Sequence, residues 1–163
     1  MKNEKTRYIF DLDRTIWETF DITGRPIWAK QMLPPYSYKE ESRTIKDDVG
    51  SYCSLRKGFF AFLKGLDQSK IDIGFISVGG IWEIPFENQP SLKLLRLFGI
   101  YDFFGTHQYL TYKTASKNPI LEKLSPCYFF DDDPKHIINA GKIEGIKVID
   151  STKINDWEIA SFK

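Results

Sequence analysis

Tyr8-Ile9-Phe10-Asp11-Leu12-Asp13-Arg14-Thr15 sets two aspartates, one residue apart, at the end of an apolar run. The run reads as a strand with Tyr8 to Asp11 as its tail, and positions two apart in a strand share a face. Asp11 and Asp13 then sit near the strand's carboxyl edge, where open α/β sheets hold their ligands. Neither carboxylate is buried cheaply without a partner, because desolvation favours the neutral acid. A divalent cation is the simplest such partner. The competing account is a solvated turn after a short strand, since Asp is common in turns.

Downstream, apolar runs alternate with helical patterns. Strands are expected over Ile71 to Val78, Phe104 to Tyr112, Cys127 to Asp131 and Ile146 to Ile149. Helices are expected over Leu55 to Leu66, Pro90 to Phe98, Ala115 to Leu124, Pro134 to Ala140 and Asn155 to Phe162, with Asp132 or Asp133 capping the one that opens on Pro134. Strands separated by helices imply βαβ crossovers and a mostly parallel, doubly wound sheet. The fold class expected is therefore α/β, with three layers around a central sheet.

The helix after the first strand is delayed by residues 16 to 56. This stretch holds Gly24, Pro26, Pro34 and Pro35, and Thr44-Ile45-Lys46 and Ser51 to Leu55 flank Asp47-Asp48-Val49-Gly50 as a hairpin. An insertion directly after the aspartate pair belongs at the mouth of the site. It is a small cap-like element within one domain spanning residues 1 to 163, a length near the usual domain size of about 100 to 150 residues. Trp17, Phe20, Trp28, Tyr36 and Tyr38 either rim the site or pack the insertion, and packing is the simpler role.

Bulk properties exclude several classes. With 23 Lys and Arg against 22 Asp and Glu the formal net charge is +1, so no nucleic-acid partner and no membrane surface are expected. Cys53 and Cys127 are too few for a disulfide scaffold, and reduced thiols in the cytoplasm are the simpler account. The charged start Met1 to Arg7 leads into a strand rather than a signal-peptide apolar region, and no run of about 18 apolar residues is present.

Four loops that follow expected strands each carry a polar group suited to one reaction. Asp11, Asp13 and Thr15 follow the first strand, Ser77 the second, Lys113 and Lys117 the third, and Asp131, Asp132 and Asp133 the fourth. A parallel sheet gathers such loops at one edge. Phosphoryl transfer through an aspartyl-phosphate uses this set. Asp11 would attack phosphorus, splitting one difficult step into two. Asp13 would protonate the leaving oxygen and then deprotonate the hydrolytic water. Magnesium held by Asp11, Asp132 and the backbone carbonyl of Asp13 would bridge nucleophile and phosphate with hard oxygen ligands. Lys117 would add a positive point charge. It is preferred to Lys113 because it directly precedes Asn118-Pro119, where proline suits a first helical turn. Ser77, with the amides of Val78 and Gly79, would donate hydrogen bonds to phosphate oxygens.

These residues carry a family resemblance. Asp11-Leu12-Asp13-Arg14-Thr15, Ser77 after a buried strand, Lys117, and Phe129-Phe130-Asp131-Asp132 resemble the four motifs of the haloacid-dehalogenase superfamily. More narrowly, Ile9 to Trp17 and Tyr128 to Asp133 resemble its small, minimally capped magnesium-dependent phosphatases, over roughly residues 7 to 150. The resemblance implies a Rossmannoid sheet with a hairpin insertion, Asp11 as nucleophile and Asp13 as general acid and base. It also implies Ser77 and Lys117 on phosphate, Asp132 on Mg2+, and Asp131 in support. The substrates it implies are phosphotyrosine, sugar phosphates or protein-linked sugar phosphates, so the partner expected is a phosphorylated small molecule or protein side chain; a monomer is expected, though no residue pattern sets the oligomeric state. Two departures stand out. Val78-Gly79-Gly80 follows Ser77 where relatives often carry Arg, and His136 stands four residues after Asp132 where Asp or Asn is common. His136 would support Asp132 or tune pH dependence, with Asp133 beside it.

The departures motivate an alternative: a non-catalytic module that keeps the fold and binds phosphate or a partner. A response-regulator receiver also phosphorylates an Asp, but its nucleophile lies on a later strand than the first. A nucleic-acid 3′-phosphatase would use the same chemistry, and the balanced charge gives it no support.

Overall fold

The alternation of Tyr8, Ile9 and Phe10 between two apolar layers organises the molecule. In the computed structural model, which describes residues 4–112 and 116–162, these residues belong to β1 (Thr6–Phe10). The insertion supplies β2 (Trp17–Phe20), β3 (Ser37–Lys39), β4 (Thr44–Lys46) and β5 (Tyr52–Leu55). Then follow α1 (Phe59–Gly65), β6 (Ile71–Ser77), α2 (Pro90–Leu97), β7 (Gln108–Leu110), α3 (Asn118–Leu124), β8 (Cys127–Asp131), α4 (Pro134–Ala140) and β9 (Ile146–Asp150). The main sheet is five-stranded and parallel, in the order β7-β6-β1-β8-β9. Helices flank it in a Rossmann-like α/β arrangement.

The period of two sorts side chains between the layers. Phe10, Phe75 and Phe130 face the larger core with Phe59 and Leu63 of α1 and Leu92, Leu94 and Leu95 of α2. Ile9, Ile76 and Phe129 face the other with Leu121 and Leu124 of α3 and Ala140 of α4. The larger layer is unusually ring-rich. Phe10 stacks on Phe130 with centroids 4.6 Å apart, and Trp157 meets Phe10, Phe59, Phe62 and Phe130 at 5.1 to 5.8 Å. Gly74 lies within β6 because a Cβ there would come within 2.8 Å of His107 Cβ and 3.1 Å of Ile9 Cδ1.

The insertion is more than a hairpin. β4 and β5 pair as expected, but β2 and β3 extend them into an antiparallel sheet of order β2-β5-β4-β3. This sheet shares the larger core: Phe98, the C-cap of α2, contacts Trp17 at 6.1 Å and Tyr38 at 5.8 Å.

Three other elements differ from expectation. The expected strand Phe104 to Tyr112 shortens to Gln108–Leu110, because Phe104 turns inward against Phe75 at 5.4 Å instead of lying along the sheet edge. The expected helix Leu55 to Leu66 starts only at Phe59, since Tyr52–Leu55 is taken up by β2 and β4 and Gly58 turns the chain at φ 77. The expected helix Asn155 to Phe162 is a single 3-10 turn, Trp157–Ile159, pinned when the Trp157 amide donates to Lys57 O at 2.9 Å. The expected start of α3 at Ala115, like Lys113, lies outside the described residues. Among the described residues no helix is long and apolar enough to cross a membrane.

The aromatic layer should carry much of the stability. Trp157→Ala is expected to cost about 3 to 5 kcal/mol, read from the urea midpoint at unchanged slope.

Candidate active site

β1 stops at Phe10, yet the ladder runs one bond further: the Asp11 amide donates to Phe130 O at 2.8 Å. Asp11 is thereby fixed against the end of β8, beside Asp131 and Asp132. Beyond it the chain turns tightly. Thr15 and Ile16 amides both donate to Leu12 O, at 3.1 and 3.0 Å, and Arg14 adopts a left-handed φ of 62. Asp11 and Asp13 therefore meet through this turn, not through a shared strand face.

Lys117, at the N-cap of α3, reaches into the space between these carboxylates. Its Nζ donates to Asp11 Oδ1 at 2.8 Å and to Asp131 Oδ2 at 2.7 Å, with the lysine side chain 1% exposed. Burial pushes the ammonium toward its neutral form, but the two adjacent carboxylates outweigh it and raise its pKa. The lysine is charged. Three carboxylates, those of Asp11, Asp131 and Asp132, lie with oxygens within 4.8 Å of one another around this one cation.

The imbalance of charge shows in the acids. Asp132 is pushed up to about 8, chiefly by burial and then by the charge of Asp11. Asp131 is raised by burial and by Asp11, against the lowering effect of Lys117. A further cation would relieve both. Asp131 has committed both oxygens, Oδ2 to Lys117 and Oδ1 to the Asp133 amide at 2.9 Å. Asp11 Oδ2 accepts from the Thr15 hydroxyl at a long 3.4 Å. Asp11 and Asp132 are thus the carboxylates best placed to bind a hard divalent ion, and Asp131 is better placed to hold the lysine. The donor set fits magnesium.

Asp13 is buried, and burial raises its pKa despite hydrogen bonds from Trp17 and Ala29 that lower it. The Trp17 indole Nε1 and the Ala29 amide both donate to Asp13 Oδ1, each at 3.0 Å. Both donors come from the insertion. The sequence reading assigned Trp17 to packing, and its full burial agrees. Its hydrogen bond to Asp13 was missed, although the spacing Asp13 to Trp17 across a tight turn was visible.

These groups surround a cavity of about 360 Å³, lined by Asp11, Asp13, Lys117, Asp131, Asp132, Asp133, Pro134 and His136, with Arg14, Trp28 and Val78 at its side. Of Trp17, Phe20, Trp28, Tyr36 and Tyr38, Trp28 alone lines it, 41% exposed, with the Arg14 guanidinium 5.7 Å from its ring centre. Ser77 and Gly79 do not line the cavity. Ser77 is 1% exposed and its Oγ accepts from the Gly79 amide at 3.2 Å. Asp133 caps α4, accepting from the Lys135 amide at 2.9 Å. His136 Nε2 lies 3.8 Å from Asp133 Oδ2, so the carboxylate it faces is Asp133 and not Asp132 as expected. Burial, then the charge of Lys117, lower the His136 pKa.

Arg56 ties the insertion to the sheet. Its guanidinium donates to Thr15 O at 3.2 Å, to Ser151 O at 2.8 Å and to Ile154 O, and the Thr15 and Ser151 hydroxyls lie 3.1 Å apart. The sequence reading did not single it out, because an arginine at a strand end carries no motif.

Two outcomes follow from the charge balance. Lys117→Met should destabilise the fold by about 3 to 5 kcal/mol, because it strands buried carboxylates; chemical denaturation measures it. Between a carboxylate's ordinary pKa of 3.8 and about 8, folded Asp132 holds a proton that the unfolded chain has lost. Stability of the metal-free protein should therefore fall as pH rises across that window. The lowered His136 pulls the other way near its own pKa, so Asp132→Asn, which should flatten the slope in thermal melts, isolates the effect. No family model and no curated protein matches the chain.

Proposed function

We propose that this chain is a magnesium-dependent phosphomonoester hydrolase of the haloacid-dehalogenase type, working through an aspartyl-phosphate on Asp11. The observation that carries the reading is Lys117 held between Asp11 and Asp131 at 2.8 and 2.7 Å, beside a cavity that Asp13 and Asp132 also line. A nucleophilic carboxylate and an anionic substrate repel each other. A buried ammonium that already touches one oxygen of that carboxylate offsets part of the repulsion.

Asp11 Oδ2, free of the lysine, is the attacking oxygen, and it forms the bond to phosphorus as the ester bond breaks. Asp13 donates the proton to the departing oxygen, and its raised pKa suits an acid that must hold its proton toward neutrality. Asp13 then takes a proton from the water that hydrolyses the acyl phosphate. Magnesium, held by Asp11, Asp132 and the Asp13 main-chain carbonyl, would supply positive charge for the phosphate oxygens. The Val78 amide and Ser77 serve the phosphate on the side of β6, with Ser77 acting through the Gly79 turn. Asp131, Asp133 and His136 support from β8 and α4.

The hairpin sheet after β1 is the minimal cap of this reading, and Trp28 is its one aromatic wall on the cavity. Phosphotyrosine, sugar phosphates and phosphorylated protein side chains are the substrates to test first. Two free, buried cysteines suit a reducing compartment such as the cytoplasm.

Phosphate release from p-nitrophenyl phosphate, phosphotyrosine and sugar phosphates, with and without magnesium, tests the proposal. Turnover is expected to need the metal and to fall at least about a hundredfold in Asp11→Asn. A wild-type rate no higher than that variant across a broad panel of phosphates would overturn it.

A further inference from the structure

Gly80 belongs to the turn after β6 in which this sequence departs from the family it resembles, and the reading above gives it no role. Its role is to make room. A Cβ on Gly80 would come within 2.9 Å of Tyr112 Cε1 and 3.0 Å of Thr111 O, and the Gly80 amide donates to Thr111 O at 3.1 Å. Glycine lets the Tyr112 ring lie against the turn. Trp82, two residues on, meets that ring at 84° with centroids 5.1 Å apart, so the two form an aromatic corner.

The turn that carries Trp82 is braced from inside. The side-chain amide of Gln89, fully buried, accepts from the Ile81 amide at 2.8 Å and donates to Ile81 O at 2.8 Å and to Ile84 O at 2.6 Å. The Ile84 amide closes the turn on Ile81 O at 3.2 Å. Trp82 and Glu83 are its two central residues, and Trp82 is 76% exposed. The bracing keeps a large apolar ring in water, where a stacked ligand gains the contact that packing has not taken.

Lys30 of the insertion lines a cavity of about 610 Å³ with Gly80, Trp82, Glu83 and Tyr112. This cavity adjoins the catalytic one along two walls. Val78 and Trp28 line the catalytic cavity, and Gly80 and Lys30 stand two residues further along the same segments, a span of about 7 Å at most. A ring bonded straight to the ester oxygen, as in phosphotyrosine, stays among the acids, Arg14 and Trp28. A flat ring reaches Trp82 only when a spacer separates it from the phosphate. In a nucleoside 5′-monophosphate the ribose is that spacer, and the base is flat enough to stack on one ring of the corner while its edge meets the other. Among the described residues Lys30 is the cavity's one cation and Glu83 its one anion. That pair suits the edge of a neutral base, with acceptor atoms for the ammonium and an amine for the carboxylate, and Glu83 opposes a second phosphate there.

We propose that Trp82 and Tyr112, with Lys30 and Glu83 at the edge, form a base-binding subsite beside the phosphate site, and that the leaving group it selects is a nucleoside. The inference rests on the phosphatase reading above, although binding at the subsite does not require turnover.

Wild type and Trp82→Ala are compared on adenosine and cytidine 5′-monophosphates, phosphotyrosine, a hexose phosphate and glycerol phosphate. Trp82 lies outside both core layers, so the variant keeps the fold. In wild type, kcat/KM for the nucleotides should exceed that for glycerol phosphate at least about tenfold, within the range that stacking a base on an aromatic side chain contributes. Trp82→Ala should remove most of that preference. No nucleotide preference in wild type, one that survives in Trp82→Ala, or a Trp82-dependent preference for phosphotyrosine or the hexose phosphate would overturn the base-binding subsite and leave the phosphatase reading standing. If no ester turns over above the Asp11→Asn protein, the phosphatase reading falls, and saturation-transfer NMR with adenosine and cytidine tests the subsite alone. Nucleoside binding that is lost in Trp82→Ala is expected there, and equal binding by both proteins, or none, would overturn it.

Discussion

The ammonium of Lys117, buried between Asp11 and Asp131, is the interaction on which the rest of the site depends. Two strands and a helix N-terminus converge on it: the end of β1 delivers Asp11, the end of β8 delivers Asp131 and Asp132, and α3 delivers the lysine. Without that cation, acids at the ends of two adjacent strands would sit together in a desolvated pocket. With it, one acid is still pushed up to about 8, and the cluster remains short of positive charge. A buried ion pair of this kind is a poor way to gain stability, because desolvation costs about as much as the attraction returns. It engages Oδ1 of Asp11 and leaves Oδ2 with the Thr15 hydroxyl at 3.4 Å.

The second constraint is mechanical. The insertion forms its own four-stranded sheet, yet it shares the aromatic core of the main sheet and is tied back to it by Arg56. Such a cap has little freedom to swing as a separate body. It instead holds Asp13 by one oxygen and lays Trp28 along the cavity. Trp28, Val78 and His136 line the cavity beside the acids.

Much of the architecture was legible in the residues. Alternating apolar positions in β1, β6 and β8 marked buried parallel strands, and Asn118-Pro119 and Asp133-Pro134 marked two helix starts where they occur. Less legible were elements whose form is set by distant partners. Phe104 abandons the sheet edge for a ring partner at 5.4 Å, and Trp157 reduces an expected helix to one turn. Propensity over a short window does not see either ring's destination.

The chain order of the acids, the serine and the lysine, with the strand pattern between them, was enough to bring these groups to one edge of a parallel sheet. That is a consequence of topology, and topology follows from periodicity. Only tertiary structure decided which oxygen does what. Lys117 takes Asp11 Oδ1 and Asp131 Oδ2, Trp17 takes Asp13 Oδ1, and His136 faces Asp133 instead of Asp132. The reason is geometric: hydrogen bonds discriminate over tenths of an ångström and a few tens of degrees, whereas a sequence pattern places a side chain only to the nearest loop.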